Sequence, residues 1–137
     1  MIDQMSKEEQ HALIELLIYM VKADGVVDNI EEAIIQDYAD LVAVDVDSID
    51  GNLQPEVLIP KFQSLESRFT VIEELLRVSH LNGFFTRDEQ AAILDVAEKL
   101  GVSSEMVRKM DAWVVDGMNW LLRGEELLVE LEKESEA

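Results

Sequence analysis

The chain has 137 residues, with 30 acids against 11 Lys plus Arg and a formal net charge of −19. One domain of this length hides roughly 68% of its unfolded surface and needs no staples, and the absence of cysteine excludes disulfides and thiolate metal ligands. The acidic field repels phosphate backbones and argues against ordinary nucleic-acid binding, while it concentrates cations and basic partners or simply keeps the domain soluble. Disorder is excluded, because 48% of the residues are apolar.

Met1 to Gln10 lacks the basic start of a secretion signal. The longest apolar stretch, Ala12 to Ala23, is interrupted by Glu15 and Lys22 and is too short to span a membrane. A cytoplasmic location is therefore expected. The first helix is predicted from about Lys7 to Ala23, with Leu13, Leu16, Leu17, Met20 and Val21 on one apolar face. Asp24-Gly25 ends it, because glycine accepts the left-handed conformation that closes helices. Asp28 then opens a second helix to about Ala43, placing Ile34, Ile35, Tyr38, Leu41 and Val42 inward.

Asp45 to Pro60 reads as a loop with one helical turn around Glu56 to Ile59. Pro60 suits the first turn of a short helix carrying Phe62 and Leu65, and the next helix runs from about Ser67 to Leu81. A shift of 58 residues then repeats the pattern: Leu17 falls on Leu75, Gly25 on Gly83, Glu31 on Glu89, Ile35 on Ile93 and Ala39 on Ala97. The repeat lacks gaps and marks two helix–turn–helix units, about 7–49 and 65–107.

Ser103 or Ser104 caps a long last helix, about 104–131, with fraying expected after Glu132. Met106, Met110, Trp113, Gly117, Trp120, Gly124, Leu127 and Leu131 alternate steps of four and three, a bundle seam in which the glycines admit a close neighbour. Gly124 is also a place where the helix can break. Core is the expected place of Trp113, Trp120 and the methionines. Val107, Val114, Met118, Leu121 and Leu128 form a second stripe, which predicts burial on two sides or a partner such as a second copy, giving a homodimer.

The densest acidic constellation is Asp24-Gly25-Val26-Val27-Asp28-Asn29-Ile30-Glu31-Glu32. Asp24, Asp28, Glu31 and Glu32 are the candidate metal ligands, for weakly bound calcium or magnesium, since hard cations want several oxygens at close range. Aligned on a calcium loop at Gly25, Asp24, Asp28 and Glu31 fall on ligand positions, but Met20 and Lys22 occupy the two opening ones. Capping explains the same residues without a metal. Asp28 with Glu31, and Thr86 with Glu89, have the spacing at which a side chain caps the helix and a glutamate three residues on reaches back. His11 and His80 lack zinc-site spacing, and no phosphate loop or catalytic triad order is visible. His80 reads as a packed residue of a last helical turn. No catalytic and no cofactor-binding residue is assigned.

Met20-Val21-Lys22-Ala23-Asp24-Gly25 followed by Val27 and Glu31, together with Asn82-Gly83-Phe84-Phe85 and Glu89 and with Leu100-Gly101-Val102-Ser103, resembles the TerB-like family of tellurite resistance B domains. The resemblance runs from about Lys7 to Leu121. It implies an all-α bundle of two pseudo-symmetric repeats, a divalent-cation role for acidic turn residues, a link to tellurite or stress resistance, and association with membrane-linked complexes. Asp24, Glu31 and Glu89 match the family's acidic positions, whereas Asn82 replaces the second aspartate.

The expectation is thus a single TerB-like domain over 1–137, a bundle of six or seven helices, acting as a non-enzymatic acidic scaffold or adaptor that responds to divalent cations and docks on a protein partner or membrane-associated complex. Two other classes are weighed: a metal-dependent hydrolase with clustered carboxylates, and an acidic nucleic-acid mimic that occupies a basic partner.

Overall fold

A computed structural model describes residues 2–23, 25, 27–81 and 86–136. Among them are six α-helices: α1 (Lys7–Val21), α2 (Asn29–Leu41), α3 (Pro55–Leu58), α4 (Leu65–Leu81), α5 (Arg87–Lys99) and α6 (Ser104–Glu136). Short 3-10 turns lie at Ile2–Gln4, Val46–Ser48 and Ile59–Lys61. The described chain holds no strand, so the all-α reading stands.

The repeat is visible in the helix ends. A shift of 58 residues carries the start of α1 onto the start of α4, and both ends of α2 onto both ends of α5. It also carries the caps. The Ser6 hydroxyl accepts from the Glu9 N–H at 3.1 Å and the Ser64 hydroxyl from Ser67 N–H at 3.0 Å. Asp28 and Thr86 do the same for α2 and α5, accepting from Glu31 N–H at 2.7 Å and Glu89 N–H at 3.1 Å. Each cap satisfies a backbone donor that the helix itself leaves open.

The closures of α2 and α5 match as well. Val44 N–H donates to the Ala39 carbonyl and Val102 N–H to the Ala97 carbonyl, both at 2.8 Å, the long bond of a Schellman closure. That closure requires a left-handed residue. Gly101 supplies it at φ +79°, and Ala43 supplies it at φ +57°. Gly25 is left-handed at φ +82° and lies outside any helix, as the sequence predicts. Gly83 lies outside the described residues, with Asn82, Phe84 and Phe85.

Helices α1 and α4 are the centre. Helix α1 packs on α2, α3, α4 and α5, and α4 on α1, α5 and α6. The sequence reading gives α1 one apolar face, but neighbours on all sides bury Ile14 and Glu15 as well as Leu13, Leu16, Leu17 and Met20. Enclosed helices are apolar nearly all round for this reason. Phe62, brought inward after the Ile59–Lys61 turn, fills the core beside Leu58.

Several boundaries and faces differ from expectation. Helix α1 stops at Val21 rather than Ala23, and α2 at Leu41 rather than Ala43, where the left-handed residue closes it. Leu41, placed inward by its spacing, is 69% exposed. Leu65 does not belong to a short helix with Phe62: it opens α4 and is 79% exposed. Helix α6 neither breaks at Gly124 nor frays after Glu132, but continues to Glu136.

Candidate functional site

The described part of the acidic turn caps α2. Asp28 Oδ1 accepts from the Glu31 N–H at 2.7 Å, and Glu31 Oε1 accepts from the Asp28 N–H at 3.3 Å, a reciprocal box that starts α2. Glu31 is buried by this, while Asp28 and Glu32 are exposed. Asp24, the residue on which the cation reading leans most, lies outside the described residues. Among those described, no three His, Asp or Glu side chains gather as a metal ion requires. The structure therefore joins Asp28 to Glu31 and leaves Glu32 apart from them.

Other acids are buried and used structurally. Glu15 accepts from the N–H groups of Asp50 at 2.9 Å and Gly51 at 3.1 Å, tying the loop after α2 to the central helix. Lys22 Nζ donates to the Gly51 carbonyl at 2.8 Å from the other side. On α4, Glu74 Oε2 accepts from the Tyr38 hydroxyl, which joins the two repeat units. Burial, then the Glu74 charge, pushes the Tyr38 phenol well above its usual range. Glu73, 1% exposed, accepts from Arg77 at 3.2 Å; burial and the neighbouring Glu74 charge raise its carboxyl, with Arg77 opposing. The signal for these acids was a carboxylate inside an apolar helical run. His80, in the last turn of α4, meets Asp111 of α6 at 2.6 Å and is packed as expected.

The larger surprise is α6. Only Val107, Met110 and Val114 of its seam and second stripe are buried, with Met118 partly so. From Asn119 to Glu136 every residue is exposed. That half projects about 27 Å beyond the last buried turn at the usual helical rise. Trp120 is 75% exposed, and Leu121, Leu122, Leu127, Leu128, Val129 and Leu131 are exposed with it. Trp113 and Trp120, expected in the core, are surface residues, 48% and 75% exposed. A Cβ added at Gly117 or Gly124 would meet nothing within 4 Å, so the close neighbour that these glycines predict is absent from the chain's own described residues.

The exposed face continues toward α4. Phe69 and Trp113 lie with ring centroids 5.6 Å apart. Beside them a mostly apolar groove of about 560 Å³ is lined by Leu65, Phe69, Met106, Met110 and Val102. One half of α6 thus holds the fold, while the other leaves its apolar side chains exposed.

In comparisons with known proteins, the family model for the tellurite resistance protein TerB matches residues 1–51. Its first 51 residues are TerB-like. The matched segment holds α1, α2 and most of the loop that Glu15 anchors; the 58-residue shift extends the same all-α organisation through α4 and α5. No curated protein and no solved structure matches the chain. No helix among the described residues is long and apolar enough to cross a membrane.

Proposed function

We propose that this TerB-like chain is a non-enzymatic, cytoplasmic scaffold that docks on a protein with a basic surface. The projecting half of α6 carries the proposal: seven large apolar side chains from Trp120 to Leu131 are exposed on one continuous helix. Apolar area on that scale gives the isolated bundle no stability and is a common mark of a contact surface. The net charge of −19 supplies the partner's sign, since opposite charge speeds encounter. The description of the matching family extends the proposal to tellurite or stress resistance, which growth on tellurite of a strain lacking the protein would test.

Capture from the source organism's extract tests the docking itself. The full chain is expected to retain a basic protein that salt releases, and Leu122→Glu with Val129→Glu to lose it while the bundle keeps its helicity. No specific partner, or equal capture by the variant, would count against the scaffold. The cation-responsive form is a separate arm: calorimetric titration with calcium and magnesium of the wild type against Asp24→Asn. An absence of heat with either ion leaves a scaffold that needs no metal.

A further inference from the structure

We infer that the seam of α6 is covered by a second copy of this chain, with the two α6 helices antiparallel and crossing between Gly117 and Trp120. The inference rests on reading α6 as an association surface and names its first occupant. Glycine inside a helix costs about 1 kcal/mol relative to alanine, and Gly117 and Gly124 have no described neighbour in their own chain to make room for. They alternate along the seam with Trp113 and Trp120, whose side chains are exposed.

An antiparallel pair sets the two kinds of seam position against each other. At one register, Gly117 faces the partner's Trp120 and Gly124 faces the partner's Trp113, so each large ring enters a gap left by a glycine. The same register sets Leu127 against the partner's Met110 and Leu131 against the partner's Met106. Met106 and Met110 line the apolar groove beside Leu65 and Phe69, so the two leucines have a place already shaped to receive them. Charge agrees at two positions, once Lys109 and Arg123 turn from Glu105 and Glu126 of their own helix, which they meet at 3.8 and 3.4 Å. Asp116 comes beside the partner's Arg123 and Lys109 beside the partner's Glu130, and symmetry repeats both pairs.

A parallel pair fails on the same residues. It would stack glycine on glycine and tryptophan on tryptophan, and would bring the acidic tails, Glu125 to Glu136, side by side. Leu122 and Val129 lie away from the antiparallel seam and remain available to a different protein.

Sedimentation equilibrium of the full chain from about 1 to 100 μM tests the pairing. The expected mass is twice that of the 15.5 kDa chain. Gly124→Leu should weaken the dimer by roughly tenfold or more, although it favours the helix locally, because it fills the space reserved for Trp113. Asp116→Arg and Arg123→Asp should each weaken it, and the double exchange should restore it. A chain monomeric throughout that range overturns the inference, as does a dimer that the double exchange does not rescue. A wild-type chain that is monomeric throughout yet still captures its partner would overturn the second copy and leave the scaffold standing.

Discussion

Asp28 shows how one side chain decides a local structure. Its carboxylate closes the open end of α2 with Glu31 answering, and removal of such a cap costs about 1 kcal/mol. Asp28→Ala should lower the unfolding free energy by that amount in metal-free buffer, as read by urea denaturation. Ala43 is the converse case. It holds a left-handed conformation that the matching position of the second unit gives to Gly101. The left-handed region costs a residue with a Cβ about 1–2 kcal/mol, partly offset by the larger freedom of an unfolded glycine. Ala43→Gly should therefore raise stability, by about 0.5 kcal/mol, and a fall on thermal or urea unfolding would deny the Schellman closure.

Glu73 gives the molecule a pH dependence of known sign. Burial raises its folded pKa above the ordinary 4.5, so the folded state holds this proton more tightly than the unfolded state does. The stability linked to that proton is complete below 4.5 and is lost as pH rises through the raised value. Wild type should thus lose more stability than Glu73→Gln when urea melts are compared on the acid side of 4.5 and at neutrality. Equal losses would place Glu73 in contact with solvent.

At the scale of elements, the loop after α2 depends on a helix far from it in sequence. Glu15 Oε1 and Oε2 each accept from a backbone N–H of that loop, at Asp50 and Gly51. Hydrogen bonds to a charged group contribute about 1.5–3 kcal/mol, and their loss leaves two donors to find water. Glu15→Ala should cost about 3 kcal/mol and speed amide hydrogen exchange at Asp50 and Gly51 first. The sequence reading places a glutamate in the middle of an apolar helix without assigning it a task, since its partners lie 35 and 36 residues away. Helix α6 exposes the same gap. Its period of three and four is plain, yet periodicity says only that one stripe needs cover, and the cover can come from another molecule.

The molecule as a whole carries −19 on one small bundle, and like charges on a compact surface repel. Raising the salt from low to physiological ionic strength should raise the melting temperature, because at 0.15 M the repulsion between exposed charges more than about 8 Å apart is largely screened. A melting temperature unchanged by salt would show that the exposed acids are already neutralised by neighbours. Screening should at the same time weaken the hold on a basic partner, so stability and partner capture are expected to move in opposite directions.

Local chemistry was enough to read the helices, the turn at Gly25, the caps at Asp28 and Thr86, and the repetition of one unit after 58 residues. Those features are set by neighbours three or four positions apart, which the order of residues records directly. Only the assembled bundle decided which apolar faces are covered, that Glu15, Glu73 and Glu74 lie inside, and that α6 outruns its own core. Burial depends on how many elements meet at a place, and that number comes from contacts between segments distant in the chain.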